Sequence, residues 1–245
     1  MAVLRAAMGL PYDQATLFDQ TLLLEQLLGT GGGWQDQVGG IVGGVKIART
    51  KPGLTQTIHV NKIPLSARQL HALQERLVVY FTGQQRLARN ILRQVMGRYL
   101  SREPGTMVLF SELMQCSRAC AAALQEGDWL ACAAEINRYW RIKKDLYAGS
   151  TTPAVDELFL ALRPYYLAGG LSGAGGGGFA YFLCADADQA HRLRSELARM
   201  SARPGSMGLI FAATINTRGL RVYTNQPDKS RQGTGLLRVH GAVSS

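Results

Sequence analysis

An α+β fold is predicted for this sequence, and three observations carry the prediction. Apolar residues recur at helical spacing in several long segments, and short strand-like runs such as Leu77–Phe81 and FAYFLCA (179–185) lie between them. Two glycine-rich stretches, Gly29–Gly44 and Gly169–Gly178, break the pattern between elements, and the mixed order helix–loop–strand–helix–strand–strand closes the chain. With 245 residues, 47% hydrophobic and 18% charged, the chain is long enough to bury a substantial core.

MAVLRAAMGL consists of strong helix formers with no Ser, Thr, Asp or Asn ahead of its first turn. It therefore reads as helix interior, and a beginning upstream is expected. Gln14–Leu28 is predicted helical, with Leu17, Leu24, Leu27 and Leu28 among its apolar positions and Gly29 as its stop. It leads into the first glycine stretch, expected to be a loop. Val45–Ala48, Thr55–Asn61 and Leu77–Phe81 read as strands, separated by a Pro52-Gly53 turn and a helix over Ser66–Gln74. Over Gln84–Leu100, Leu87, Ala88, Ile91, Leu92, Val95, Met96 and Tyr99 form an apolar stripe that leaves Arg86, Arg89 and Arg93 off it.

Helices follow over Thr106–Gln125 and from Asp128, an N-cap, with Trp129, Ala133, Ile136 and Trp140 on one face as core. Thr152-Pro153 opens a short helix with Asp156 and Glu157 near the positive end of its dipole. The second glycine stretch, again expected as a loop, runs into strand 179–185. A helix over Ala187–Met200, strands over Met207–Thr214 and Leu220–Thr224, and a poorly ordered polar tail from Asn225 complete the expectation.

The formal charge of +10 and pI near 9.8 suit a polyanion, a phosphorylated small molecule or a solvated basic surface. Cys116, Cys120, Cys132 and Cys184 contain no CxxC pair, so free thiols are expected rather than a metal site or disulfides. Those thiols, the absence of a charged region followed by a sustained apolar run at the N-terminus, and the lack of any apolar stretch near ~20 residues predict a soluble, cytoplasmic protein. The scattered His59, His71, His191 and His240 show no ligand spacing.

The stretch GTGGGWQDQVGGIVGG places one acid, Asp36, among eight glycines. Each glycine costs ~0.5–1 kcal/mol relative to alanine in regular structure, a cost that core packing does not call for and close approach to a ligand does. Together the two stretches suggest one site, in which amides hold phosphate or sugar oxygens and a carboxylate handles a hydroxyl. Neither fits GxxxxGK[ST] or lies in a strand-to-helix dinucleotide unit. On composition alone, a pair of turns and a flexible linker remain open.

GTGGGWQDQVGG (29–40) resembles the acid-bearing motif of fucokinases in the GHMP sugar-kinase superfamily, and LSGAGGGGF (171–179) resembles the superfamily's C-terminal glycine motif. TGQQRLARNIL, Thr82–Leu92, is similar to the fucokinase segment between them. The matches fall in the family's order and cover most of the chain; the run Trp34-Gln35-Asp36-Gln37 favours fucokinases over heptose-phosphate kinases.

The resemblance implies a partial N-terminal kinase domain over residues 1–65, a ferredoxin-like C-terminal domain over 66–224 and a tail over 225–245. It implies transfer of the γ-phosphate of ATP to the anomeric hydroxyl of L-fucose, with Mg²⁺. Asp36 matches the catalytic acid. Gly33, Trp34, Gln37, Ser172, Gly173, Ala174, Gly175, Gly176 and Gly177 match substrate and phosphate contacts, and Glu25, eleven residues before Asp36, matches a magnesium ligand.

The family's second motif, a GLGTSS-like turn around the ATP phosphates, has no counterpart here, and MAVLRAAMGL resembles the helix that follows that turn with its first turns removed. Catalysis is therefore expected to need an N-terminal half in the same chain or in a partner. The alternatives are an inactive kinase fragment and a non-catalytic basic module holding a polyanion through its glycine loops and Arg86, Arg89 and Arg93. The chain lacks nucleic-acid motifs, so sugar and ATP rather than nucleic acid are the expected partners.

Overall fold

The computed structural model describes residues 1–11, 13–29, 32–51, 57–84 and 88–223, without the side chains of 88–90. Pro52, Gly53, Arg86, Leu87, Thr224, the tail from Asn225 and the Arg89 side chain lie outside the described residues. Two compact units divide the rest: Met1–Gly29, Gly33–Gly43 and the segment from Asn216 form one, and Gly32 with Gly44–Ile215 the other.

The first unit holds α1 (Ala2–Ala7), α2 (Gln14–Leu27) and α3 (Gln35–Ile41). Asp13 caps α2 by accepting from the Thr16 amide at 2.7 Å. Helix α3 corrects the expectation of a loop: residues 35–41 wind up although Gly39 and Gly40 sit inside the helix. Burial of Val38 and Ile41 outweighs a propensity cost of ~1 kcal/mol per glycine. The Leu220 amide donates to the Ile41 carbonyl at 3.1 Å, and the segment 220–223, expected as strand, is not one. A Cβ on Gly43 would run into the backbone of Thr217 and Gly219. Packing does therefore call for one glycine of this stretch, against the sequence-based expectation.

In the second unit, β1 (Lys46–Thr50) and β2 (Ile58–Lys62) make an antiparallel ribbon. Next come α4 (Ala67–Arg76), β3 (Leu77–Phe81), α5 (Ala88–Leu100), α6 (Pro104–Glu126), α7 (Trp129–Leu146), α8 (Pro153–Ala161), β4 (Ala168–Leu171), β5 (Phe179–Leu183), α9 (Ala187–Ser201) and β6 (Leu209–Phe211). The last four strands form an antiparallel sheet in the order β4-β5-β3-β6. Helices between β3 and β4, the β4–β5 hairpin, and α9 before β6 give the β-α-β-β-α-β order of a ferredoxin-like unit.

Val78 pairs with Phe182 and Tyr80 with Ala180, and these residues share a core with Phe159, Leu162, Leu193 and Leu197. Trp140 stacks on Phe159 at 5.9 Å, in the core role expected of it. Asp128 and Thr152 cap α7 and α8 as expected, accepting from Ala131 N at 2.9 Å and Val155 N at 3.2 Å. Gly169 and Gly170, expected in a loop, belong to β4; the Phe182 ring and the Tyr181 hydroxyl stand 2.8 and 2.9 Å from where their Cβ atoms would be. The strand expected over 207–214 contracts to Leu209–Phe211. All four cysteines are free, and Cys116, Cys132 and Cys184 are buried. Among the described residues, no helix is long and apolar enough to cross a membrane.

Candidate functional site

The glycine turn joins β4 to β5, and its shape is imposed from outside. The Lys143 ammonium, on α7, donates to the carbonyls of Leu171 at 2.9 Å and Gly173 at 2.6 Å. The Ser150 carbonyl accepts from the Gly176 amide, and the Gln84 carbonyl from the Gly178 amide, both at 2.7 Å. The Thr82 amide and hydroxyl both donate to Gly178 O, at 2.9 and 3.0 Å. Ser150 is in turn held by its hydroxyl donating to Lys143 O at 3.1 Å, and the Gln84 side chain accepts from Thr152 at 2.9 Å.

Glycine is needed where these neighbours press closest. Gly175 has φ +96 and a Cβ there would strike the Ser150 carbonyl; at Gly177, with φ +147, it would lie 2.8 Å from the Gln84 carbonyl.

Lys143 does more than anchor the turn. A planar trans peptide points its C=O and N–H in opposite directions, so a Gly173 carbonyl drawn to the ammonium turns the Ala174 amide away from it. Neither the Gly173 nor the Ala174 amide donates to a protein acceptor among the described residues, and both lie at the solvent-facing part of the turn. Donors fixed in this way fit a phosphate or sugar oxygen. Burial pushes the Lys143 pKa down to about 8, and its ammonium also lies 5.6 Å from the Trp140 ring centre. Beside the turn, Tyr80, Thr82, Gln84, Val155, Glu157 and Met200 line a cavity of about 310 Å³.

The acid-bearing stretch belongs to the first unit, and Ser172–Gly177 to the second. Asp36 is exposed in the first turn of α3, with Trp34, half-buried, at the N-cap and Gly33 exposed before it. Gln37 is buried, and neither its Oε1 nor its Nε2 has a hydrogen-bond partner among the described residues. An orphaned buried amide costs ~1–3 kcal/mol, so a polar ligand oxygen fits this position. Glu25 is half-buried in the last turn of α2. No group of three or more His, Cys, Asp and Glu among the described residues forms a metal site. Mg²⁺ takes one or two protein carboxylates and fills its shell with phosphate oxygens and water, so a site for it needs no such group.

Sequence reasoning missed Lys143, Ser150 and Thr152 as supports of the turn. One signal was present: Lys143 continues the α7 face of Ile136 and Trp140 at helical spacing, a charge where an apolar residue is due. Thr82 and Gln84 lie within the Thr82–Leu92 segment singled out above.

Residues 120–202, which span the glycine turn, Lys143 and Ser150, match the family described as GHMP kinases C terminal. The chain carries a GHMP kinase C-terminal domain. A bifunctional fucokinase/GDP-fucose pyrophosphorylase of Arabidopsis thaliana is 38% identical over 176 residues, 72% of this chain and 17% of that protein. An L-fucokinase/L-fucose-1-P guanylyltransferase of Bacteroides fragilis is 31% identical over 214 residues, 87% of this chain and 22% of that protein. The chain thus spans about a fifth of the length of these curated relatives.

The GHMP kinase fold is also that of Streptococcus pneumoniae phosphomevalonate kinase, solved with phosphomevalonate and AMPPNP. That structure is 14% identical with a TM-score of 0.64, covering 85% of this chain and 64% of that one.

Proposed function

We propose that this chain is part of an ATP-dependent sugar kinase that phosphorylates the anomeric hydroxyl of L-fucose, completed by a second phosphate-binding element from the same polypeptide or a partner. The observation that carries the reading is the Lys143-held glycine turn, whose free amides suit an anion, within a domain whose relatives are named as fucokinases. ATP, when bound, supplies the phosphoryl group.

Asp36 accepts or orients the proton of the attacking sugar hydroxyl. Gln37 pairs its buried amide with a sugar oxygen, and Gly33 and Trp34 border the same ligand. Ser172, Gly173, Ala174, Gly175, Gly176 and Gly177 shape the phosphate side, where phosphoryl transfer depends on positioning and charge stabilisation more than on covalent chemistry. Glu25 supplies one carboxylate to Mg²⁺.

The test is ADP release with L-fucose as acceptor, measured on the complete kinase. Asp36→Asn is expected to lower kcat by ~10²–10⁴, the usual weight of a positioned acid or base, while fucose still binds. Full activity in that variant removes Asp36 from the chemistry, and no fucose-dependent turnover in the parent protein removes the sugar assignment.

A further inference from the structure

The hairpin of α6 and α7 brings two cysteines together away from the glycine turn. Cys120 Sγ and Cys132 Sγ lie 3.5 Å apart. Alanines surround both, in the runs Ala119-Cys120-Ala121-Ala122-Ala123 and Ala131-Cys132-Ala133-Ala134, which lets the two backbones approach closely. Ala123, Ala133, Ala168 and Leu183 pack around the pair and exclude water from Cys132. Cys120 is only half-buried and lines a cavity of about 200 Å³ with Cys116, Ser117, Glu135, Tyr139 and Tyr181. One sulfur is therefore accessible to a small reagent, and the other stands directly behind it.

We propose that Cys120 and Cys132 are a peroxide-oxidisable dithiol, in which Cys120 is the reacting thiol and Cys132 the resolving one. The Cys120 thiolate attacks one oxygen of hydrogen peroxide; the O–O bond breaks, the second oxygen leaves as hydroxide and takes up the thiol proton as water, and Cys120 becomes a sulfenic acid. Cys132 then attacks the Cys120 sulfur, the S–O bond breaks, and the departing hydroxide takes the Cys132 proton as a second water. Two thiols and one peroxide give one disulfide and two waters. The sulfurs must close from 3.5 Å to about 2.05 Å.

The surroundings separate this pair from the other two thiols. The contact between the two sulfurs holds the Cys120 pKa below its ordinary value and raises that of Cys132, which burial raises further. Cys116 is buried, and burial together with the Glu135 carboxylate pushes its pKa up. Burial pushes Cys184 up to about 12, and its thiol donates to Tyr165 O. Low pKa with access is what makes a cysteine reactive, and Cys120 combines them.

The experiment does not depend on kinase activity. Arg118 and Arg138 bound one tryptic peptide, 119–138, that contains both cysteines. The folded full chain is treated with hydrogen peroxide, quenched, then unfolded in denaturant so that every remaining thiol is exposed, blocked with iodoacetamide, digested and weighed. The expected result is that peptide 119–138 loses two hydrogens and takes no alkyl group, dithiothreitol restores it, and Cys116 and Cys184 are alkylated throughout. Cys132→Ser should stop at a Cys120 sulfenic acid that dimedone traps. Full alkylation of the wild-type peptide after peroxide overturns the proposal, as does accumulation of a Cys120 sulfinic acid without the cross-link. The wild-type map decides the matter even if a variant fails to fold.

Discussion

The turn from Ser172 to Gly178 is tied down by Lys143, Ser150 and Gln84, whereas the stretch from Gly33 to Gly44 carries a short helix whose acid is exposed and whose buried Gln37 amide has no partner among the described residues. Both are glycine-rich, and glycine serves different ends in them. At Gly175 and Gly177, positive φ and close contacts leave no room for a side chain, and the reward is amide direction fixed before a ligand arrives. Preorganised donors of this kind cost no reorganisation when charge develops. In the acid-bearing stretch, a Cβ added at Gly39 or Gly40 would meet nothing within 4 Å, so there the glycines are not demanded by close packing.

The largest effect should come from filling the turn. Gly175→Val imposes left-handed strain of ~1–2 kcal/mol and a collision with Ser150, displacing the Gly173 and Ala174 amides. Phosphoryl transfer by the complete kinase should fall ~10²-fold, as misplacement by about an ångström commonly does. Unchanged turnover would show that the turn is not rigid.

Lys143→Met comes next, losing about 1–3 kcal/mol at neutral pH because the buried Leu171 carbonyl is stranded. Its pH dependence sharpens the point. The Lys143 pKa is about 8 in the folded chain against 10.5 for an ordinary lysine. Below 8 both folded and unfolded forms are charged, and the cost of burying the charge is fully present. Between 8 and 10.5 the unfolded chain binds more protons, so stability contributed at Lys143 rises with pH. The melting-temperature gap between wild type and Lys143→Met should therefore widen across that window, and a constant gap contradicts the buried charge.

In the other stretch the signs reverse. Gln37→Leu should stabilise the ligand-free protein by about 1 kcal/mol, since it removes an unpaired buried amide, while weakening fucose binding. Destabilisation would reveal a partner for the amide. Gly39→Ala, inside α3 with open space at its Cβ, should add up to about 1 kcal/mol, read by denaturant midpoint.

Strand β3 was legible to the residue, and so were the caps at Asp128 and Thr152, because a short β-branched and aromatic run and a capping oxygen are local signals. Helix α3 was not, because it forms against its own glycines by burying Val38 and Ile41, and what covers those side chains is not encoded nearby. The strand character of Gly169 and Gly170 was hidden for a related reason: the aromatic groups of Tyr181 and Phe182 occupy the space that side chains on β4 would fill. For the candidate site, the glycine motif and Asp36 could be read from motif order. Lys143 and Ser150 could not be assigned to the turn, since they meet it only across 28 and 26 residues of folded chain.

The hydrogen bond from Leu220 to Ile41 has a consequence for how the chain is made. Asp36 is translated before its covering segment, which is not synthesised until 179 residues after Ile41. At about 5–20 residues per second, that is a wait of about 10–35 s. During this interval α3 must persist without its closing strap or form late, so a ribosome stalled before residue 220 releases a chain in which the domain holding the glycine turn is complete and the stretch bearing the acid is not.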